Sequence, residues 1–371
     1  MAKHILNKDF EKTKYEVWFS MLKDIPLKIR MNLIEDLHYA KNVYEADEIS
    51  LLETKGMDLN HLTYLMKEKN KSPDSIYEAI LNQDIDLVSI ENENYPLLLR
   101  DIPDRPYSLF YKGKFPQPTI PSIGIVGARM CTNYGARMAY DIAHTLAGSS
   151  YNIVSGMALG IDRHAHAGAL DANGMTTAVL GCGVDICYPG KNKDLYNRII
   201  ENGCVLSEYT PGTQAVSQFF PRRNRIISGM TSALVVTEAR IKSGSLITAN
   251  LSTSYNRDVY ALPGRVSDPL SRGTNNLIQE GAIVLESISF LSKDLEEKHG
   301  TTVLEPSILT DISLTENEQI VLSEIDYYAL HIDSILEKAS PLSEESIYQC
   351  INTLKEKGKI KEIFPDYFVK N

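Results

Sequence analysis

Hydrophobic residues recur at two different spacings along the chain, and the spacing changes near residue 120. Residues 1–85 carry apolar side chains three to four positions apart, which is typical of short amphipathic helices. From residue 122 the apolar residues come in short runs, each followed by a turn and a helical stretch. This alternation predicts an α/β fold with a parallel sheet and helices on both of its faces.

Seven apolar runs predict the strands of that sheet. They cover residues 123–126, 152–154, 177–180, 204–207, 233–237, 258–261 and 282–285. Parallel strands end at a common edge, and ligands of such sheets bind beyond the carboxyl ends of the strands. We therefore expect the functional residues in the turns that follow these runs.

Two polar segments divide the chain. Three prolines within residues 115–121 interrupt regular structure and predict the first linker. The predicted parts are a helical domain at 1–85, a connecting segment and linker at 86–121, an α/β domain at 122–290, a second linker at 291–312 and a C-terminal domain at 313–371. The C-terminal domain has the element order of a winged helix-turn-helix. Its net charge of −5 favours a protein contact or a structural role over DNA reading.

The charge of the whole chain limits the classes of function. A net charge of −10 argues against a protein that coats duplex DNA, although residues 118–290 alone carry +2 and the flanks −12. No stretch reaches the roughly 20 apolar residues of a membrane span, and the first residues are polar, so we expect a cytoplasmic protein. The five cysteines are scattered and predict buried thiols rather than a zinc site.

Residues 218–250 hold the densest candidate chemistry. This segment contains two aromatic residues, a basic cluster and a Ser-Gly-Ser turn: Phe219, Phe220, Arg222, Arg223, Arg225 and Ser243–Ser245. Guanidinium groups bind phosphate in two-pronged geometry, and aromatic faces stack on bases of any sequence. The Ser-Gly-Ser turn opens a predicted helix, whose N-terminus suits an anion. The alternative is a solvated basic turn followed by an ordinary strand and helix.

Glycines and cations also follow the other predicted strands. Gly127 and Arg129 come after the first strand, and Lys191 and Lys193 come after the third. The carboxyl edge of the sheet is therefore a candidate anion-binding surface. The chain lacks both G-x-G-x-x-G and the P-loop motif, so neither NAD binding nor ATP hydrolysis is indicated and no cofactor is predicted.

Acidic residues at the strand ends leave an enzymatic hypothesis open. Glu208 and Glu238 could act as general acid and base, or they could form ion pairs that orient Arg225 or Arg240. Asp162 and His166 are four positions apart on a predicted helix, and this spacing favours a hydrogen bond between them over a metal site.

Six segments resemble, in order and spacing, the motifs of the DNA-processing protein A (DprA, or Smf) family. They are SIGIVGARMCTNYG, SGMALGIDRHAHAGAL, AVLGCGVDICYPGKN, SEYTPG with FFPRRNRIISG, TEARIKSGSLITA, and ALPG with GTNNLIQEGA. The resemblance is dense over residues 90–290 and looser toward both ends. It implies an extended Rossmann-like fold with a helical N-terminal and a winged-helix C-terminal domain.

The resemblance also implies a function and site residues. The implied function is binding and protection of single-stranded DNA without catalysis, dimerisation, and loading of the recombinase RecA during natural transformation; single-strand-binding protein is a further candidate partner. The family's DNA-binding positions fall on Gly127, Arg129, Lys191, Lys193, Phe220, Arg223, Asn224, Arg225 and Ser243, Gly244 and Ser245, and Phe219 and Arg222 lie within the same stretch. The implied dimer contact falls on Leu277 and Ile278.

Two departures and two rival functions accompany the resemblance. Gln214–Val216 replace further prolines of the family, and Asn256-Arg257 replaces a Gly-Arg pair, which puts the fine geometry of the groove in doubt. A nucleoside monophosphate phosphoribohydrolase would use the same sheet edge, but its Pro-Gly-Gly-x-Gly-Thr-x-x-Glu turn is replaced here by TEARIKSGSLITA. The third hypothesis is an adaptor that binds RecA through the acidic ends of the chain and has little affinity for DNA.

Overall fold

The computed structural model describes residues 10–299, 314–325 and 330–370. Its first part is a bundle of short helices: α1 (Phe10–Ser20), α2 (Leu27–Leu37), α3 (Ala40–Glu45), α4 (Glu48–Glu53), α5 (Leu59–Lys69) and α6 (Pro73–Leu81). Trp18, Leu33 and Leu65 are fully buried in its core. The side chains of Asp47, Asp58 and Ser72 cap α4, α5 and α6.

A nine-stranded sheet forms the centre of the molecule. Its strands are β1 (Asp86–Ser89), β2 (Ser108–Gly113), β3 (Ser122–Val126), β4 (Asn152–Ser155), β5 (Thr176–Val179), β6 (Cys204–Ser207), β7 (Ala233–Val236), β8 (Asp258–Ala261) and β9 (Ile283–Val284). The spatial order is β1-β2-β6-β5-β4-β3-β7-β8-β9. Strands β3 to β9 pair in parallel, and they confirm the seven strands and the α/β class predicted from the sequence.

The segment at 86–121, predicted as a connection, contributes to this sheet. Strands β1 and β2 form an antiparallel hairpin, and β2 pairs antiparallel with β6 through Phe110 and Ser207. The same hairpin carries the N-terminal helices, because the ring of Tyr107 packs edge-on against Phe19 at 4.6 Å and the hydroxyls of Ser20 and Ser108 are 2.6 Å apart. The three prolines at residues 115–121, from which the first linker was predicted, lie between β2 and β3.

Helices cover both faces of the sheet. They are α7 (Leu97–Arg100), α8 (Asn133–Gly148), α9 (Ile161–Asp171), α10 (Lys193–Asn202), α11 (Phe219–Met230), α12 (Gly244–Ser254), α13 (Arg272–Gln279) and α14 (Ile288–His299), with a 3₁₀ turn at Gly190–Asn192. One apolar core lies under α8, α9 and α14, and a second lies under α7, α11, α12 and α13. The sheet is thus a buried central layer, as its continuous apolar strands require.

Helix α14 corrects the predicted linker at 291–312. Leu291 and Leu295, one helical turn apart, are fully buried against the sheet. Most residues between and after these two leucines are charged. The sequence therefore predicted a polar linker, although one face of the helix is apolar. The rest of that predicted linker, from residue 300 to 312, lies outside the described residues.

The C-terminal part contains three helices and a small sheet. Its elements are α15 (Glu316–Glu324), β10 (Leu330–His331), α16 (Ile332–Lys338), α17 (Glu344–Glu356), β11 (Ile360–Phe364) and β12 (Tyr367–Lys370), with strand order β10-β12-β11. The side chain of Ser343 caps α17. The assignment as a winged helix stays a prediction. Among the described helices, none is long and apolar enough to cross a membrane.

The order of the strands creates one topological switch point. From β3 the chain moves outward through β4, β5 and β6, and it then returns to the other side of β3 to form β7, β8 and β9. The connections after β3 and β7 therefore leave the sheet in opposite directions. A crevice forms at the carboxyl edge where this happens, and it is the usual ligand site of an open α/β sheet.

Candidate nucleic-acid interface

A cleft of about 420 Å³ lies at this switch point. Of the residues predicted from the sequence, it brings together Gly127, Arg129, Phe220, Arg223, Asn224, Ser243, Gly244 and Ser245. Lys191, Lys193, Phe219, Arg222 and Arg225 do not line it. The cleft thus unites the turns after β3 and β7 with the first turns of α11, three segments that are far apart in sequence.

One wall of the cleft is the N-terminus of α12. Ser243 is the N-cap residue, and its hydroxyl accepts a hydrogen bond from the amide of Ser245 at 3.4 Å. Gly244 is exposed, and no heavy atom lies within 4 Å of the position that a β-carbon would take there. A helix N-terminus carries unpaired amide donors and the positive end of the helix dipole, so this wall suits a phosphate group.

Aromatic rings form the opposite side. The guanidinium carbon of Arg129 is 5.8 Å from the centre of the Phe220 ring, and the ring of Tyr188 is 5.4 Å from the same ring. Phe219 points away from the cleft and stacks on Tyr209 with 4.2 Å between ring centres. Tyr188 is half exposed, so its ring is available to a base. Sequence reasoning missed Tyr188, although its place in the Tyr-Pro-Gly turn after β5 was a usable signal.

The basic cluster lies on a helix rather than on a loop. Helix α11 begins at Phe219, and Pro221 is tolerated because it lies in the first turn, where backbone amides have no partner within the helix. Successive helix positions point about 100° apart, so the arginines face different surroundings. Arg222 is exposed, whereas Arg223 and Arg225 are 5% and 7% exposed. Of the three arginines predicted to contact phosphate, only Arg222 is exposed, and the contacts of Arg223 and Arg225 with phosphate stay predictions.

Arg223 joins the carboxyl ends of two strands. Its guanidinium donates to the carbonyl oxygen of Gly156 after β4, at 2.7 Å, and to that of Val179 in β5. A β-carbon at Gly156 would lie 2.5 Å from the same guanidinium, so only glycine fits there. Burial lowers the pKa of Arg223 to about 10, and the charge of Asp162 opposes that shift. Arg223 lines the floor of the cleft and holds β4 against β5.

Asp162 and His166 do not form the hydrogen bond expected from their spacing. Asp162 accepts from the amides of Gly156 at 3.1 Å and Ala158 at 3.3 Å, and burial raises its pKa. The Nδ1 atom of His166 is instead 2.7 Å from the Thr176 hydroxyl. Side chains from neighbouring strand ends compete for these groups, which sequence spacing does not reveal.

Arg225 and the two glutamates are engaged elsewhere. Arg225 forms ion pairs with Glu208 at 2.6 Å and with Asp104 at 3.1 Å. Glu238 accepts hydrogen bonds from the amide and hydroxyl of Thr132, the N-cap residue of α8. Glu208 thus orients Arg225, as one interpretation of the sequence proposed, whereas Glu238 holds the start of α8 and not Arg240.

The remaining predicted residues lie around the cleft or in the core. Lys191 and Lys193 are exposed on either side of Asn192, whose buried amide donates to the carbonyl oxygen of Met157 at 2.9 Å. Within the described parts of the chain, Arg129, Arg222, Lys191 and Lys193 form no ion pair with a carboxylate. Leu277 is buried in the chain's own core, and Ile278 is half-buried beside it.

A family model described as DNA recombination-mediator protein A matches residues 86–296. The chain belongs to this family. The matched range begins at β1, so it includes the hairpin that joins the helical part to the sheet. It ends within α14, the helix that replaces the first part of the second predicted linker, residues 291–299.

Curated relatives agree with this assignment. The chain is 44% identical over 199 residues to the DNA processing protein DprA of Streptococcus pneumoniae, covering 54% of this chain and 70% of that protein. It is 30% identical over 344 residues to Protein Smf of Escherichia coli, covering 91% of each chain. The similarity to the second protein thus extends over both ends of the chain.

Two solved structures of the family resemble this architecture. The crystal structure of DNA processing protein A from Streptococcus pneumoniae superposes with a TM-score of 0.67 at 35% identity, over 77% of this chain and 98% of that one. DNA processing protein A from Helicobacter pylori, described for its single-stranded DNA binding mode, gives a TM-score of 0.53 at 29% identity. The match covers 58% of this chain and 96% of that one. The fold is therefore that of the DNA-processing proteins.

Proposed function

We propose that this chain binds single-stranded DNA across the carboxyl edge of its sheet, centred on the cleft between β3 and β7. The observation that carries the proposal is the pairing, within one cleft, of a helix N-terminus at Ser243 with the Arg129–Phe220 contact. The helix N-terminus suits a phosphate, and the Arg129–Phe220 contact suits a base together with its neighbouring phosphate. The family relative from Helicobacter pylori, described for binding single-stranded DNA, supports the same ligand.

In this proposal the exposed cations contact phosphates and the buried ones hold the site in shape. Arg129, Arg222, Lys191 and Lys193 bind the strand, Phe220 and Tyr188 take a base, and the turn at Ser243–Ser245 binds one phosphate through its amides. Arg223 and Arg225 act indirectly, because their guanidinium groups are committed to carbonyl oxygens and carboxylates.

The protein acts on DNA by binding and not by catalysis. A general base must reach a substrate proton in the cleft. The carboxylates at the strand ends are engaged with other groups, since Asp162 accepts from two backbone amides, Glu238 holds Thr132 and Glu208 holds Arg225. This engagement supports the binding function over the phosphoribohydrolase hypothesis.

Downstream of binding, the protein protects incoming DNA and loads RecA onto it during natural transformation, acting as a dimer. This part rests on membership of the family. Because Leu277 is buried in the chain's own core, a dimer contact on α13 would use Ile278 and the exposed residues next to it.

Binding of a fluorescent oligonucleotide, compared with a duplex of the same sequence and titrated with salt, tests the proposal. We expect single-strand preference, and we expect Arg129→Ala and Arg222→Ala each to reduce the salt slope by about 0.7. Lys114→Ala is the matched control, since Lys114 is exposed beyond the opposite edge of the sheet. Absence of binding by the wild type would reject the proposal, and release of base from a nucleoside monophosphate would replace it with the enzymatic function.

RecA loading needs a separate assay. We expect the wild type to speed RecA filament growth on DNA coated with single-strand-binding protein, and we expect Arg129→Ala to lose this effect. If Arg129→Ala binds DNA weakly yet loads RecA as well as the wild type, the adaptor hypothesis is correct and loading does not proceed through the cleft.

A further inference from the structure

Three neighbouring strands end in loops that share one feature. Each loop exposes an aliphatic side chain directly beside a cation: Met130 follows Arg129 after β3, Ile241 lies between Arg240 and Lys242 after β7, and Val266 follows Arg265 after β8. Met130, Ile241 and Val266 are 76%, 56% and 89% exposed. Arg129 and Ser243, in the loops after β3 and β7, line the cleft described above, but Ile241 and Val266 do not.

Backbone contacts bring the loop after β7 and the start of α13 together. The amide of Ala239 donates to the carbonyl oxygen of Leu270 at 2.7 Å, and the amide of Gly273 donates to that of Ala239 at 2.8 Å. Arg240 follows Ala239 in the sequence, and Arg272 precedes Gly273. Both arginines are exposed. The two cations therefore lie on one surface, which continues the carboxyl edge from β7 to β8.

These cations are available to a ligand. Over the described residues, Arg240, Lys242 and Arg272 have no carboxylate within ion-pair distance. Asp268, the acidic residue of the same surface, accepts a hydrogen bond from the amide of Leu270 at 2.9 Å. Arg240 and Lys242 flank the exposed side chain of Ile241, and this arrangement suits a polymer in which anionic and apolar groups alternate.

We infer that the DNA strand continues beyond the cleft onto this second surface, formed by Arg240, Ile241, Lys242, Val266 and Arg272. The inference rests on the proposed function and extends it. Adjacent strands are about 4.8 Å apart, so the step from β7 to β8 adds roughly 5 Å to the site. Arg240, Lys242 and Arg272 bind phosphates, and Ile241 and Val266 contact the bases between them.

The test compares two lengths of oligonucleotide. A strand of about 4 nucleotides fills the cleft, whereas one of about 20 also reaches the second surface. We expect the double variant Arg240→Ala/Lys242→Ala to bind the short strand as the wild type does. For the long strand we expect the salt slope to fall by about 1.4 and the affinity to fall about 25-fold at 0.1 M salt, since each phosphate contact contributes a factor of about 5 there.

The controls separate this inference from the proposed function. Lys23→Ala/Lys114→Ala removes the same charge from exposed positions elsewhere and should change neither strand's affinity. Arg129→Ala should lower the affinity for both the short and the long oligonucleotide. If the wild type and Arg129→Ala behave as expected while Arg240→Ala/Lys242→Ala binds the long strand with unchanged affinity and salt slope, the second surface does not bind DNA. If that double variant instead changes only self-association in sedimentation, the surface is a protein contact and the inference is wrong.

Discussion

The guanidinium group of Arg129 lies over the ring of Phe220, with 5.8 Å between its carbon atom and the ring centre. The two residues belong to different connections, one after β3 and one at the start of α11, and their contact closes the cleft at the topological switch point. A base that stacks beside Phe220 meets a positive charge at the same place. Under the proposed function, we expect affinity for phosphate and affinity for a base to be coupled at this contact.

Removing the aromatic rings of the cleft should weaken binding without unfolding the protein. We expect Phe220→Ala and Tyr188→Ala each to reduce single-stranded DNA affinity by roughly 5- to 150-fold, because stacking contributes about 1–3 kcal/mol per base. Tyr348→Ala is the control, since Tyr348 is as exposed as Tyr188 but lies in the C-terminal part. Fluorescence anisotropy measures the change, and equal affinities for all three variants would contradict base stacking in the cleft.

Substitutions of the neighbouring residues Arg222 and Arg223 should affect different properties, DNA binding for the first and stability for the second. We expect Arg223→Ala to lower the free energy of unfolding by about 2–6 kcal/mol, because the buried carbonyl oxygens of Gly156 and Val179 lose their guanidinium donor and each unsatisfied acceptor costs about 1–3 kcal/mol. Arg222→Ala should change stability by less than about 0.5 kcal/mol, since its side chain is exposed. Urea unfolding measures both. A stable Arg223→Ala protein with a reduced salt slope would show that Arg223 contacts phosphate.

Arg225 should behave as the partner of Glu208 and not as a ligand for DNA. We expect Arg225→Ala to destabilise the fold and to leave the salt slope of DNA binding unchanged, because its guanidinium is held by Glu208 and Asp104. A double-mutant cycle of Arg225→Ala and Glu208→Ala measures their coupling in urea unfolding. A coupling energy near zero would mean that this ion pair does not hold α11 in place.

His166 should make the protein less stable in acid. The Thr176 hydroxyl donates to the carbonyl oxygen of Ile153, so Nδ1 of His166 must donate to Thr176, and Nε2 has no partner among the residues that the structure describes. Burial, and next the charge of Arg223, lower the pKa of His166 to about 3 from its usual 6.5. Between those pH values the unfolded chain binds the proton and the folded chain does not, so stability is lost as the pH falls. The loss is about 1.4 kcal/mol for each pH unit.

The matched variant for this prediction is His166→Asn, whose side chain keeps a donor for Thr176 but does not titrate. We expect its free energy of unfolding to fall less steeply between pH 6.5 and 4 than that of the wild type. Parallel pH dependences in urea unfolding would show that another group causes the acid sensitivity.

The sequence predicts the sheet and the cleft well, because both depend on local patterns. Apolar runs locate β3 to β9, and the glycines and cations after them locate Gly127, Arg129 and Ser243. The directions of single side chains depend on the helix that carries them. Arg222 and Arg223 are adjacent in sequence but point apart, because Phe219 begins a helix.

Contacts between distant strands account for the other differences. The hairpin of β1 and β2 looks like a connection until β6 is placed beside it. His166 finds Thr176 rather than Asp162 for the same reason, since the partner belongs to a neighbouring strand. Pairings between strand ends that are far apart in the chain leave no periodic signal in the sequence.

The position of β6 between β2 and β5 sets an order of events during synthesis on the ribosome. The hairpin of β1 and β2 can fold onto the N-terminal helices as soon as it emerges, but its inner edge has no partner until residues 204–207 follow. Until then the backbone donors and acceptors of β2 form an open strand edge, which can pair with another nascent chain. The growing polypeptide therefore passes through an interval in which this edge is open to a chaperone, and that interval ends when β6 pairs with β2.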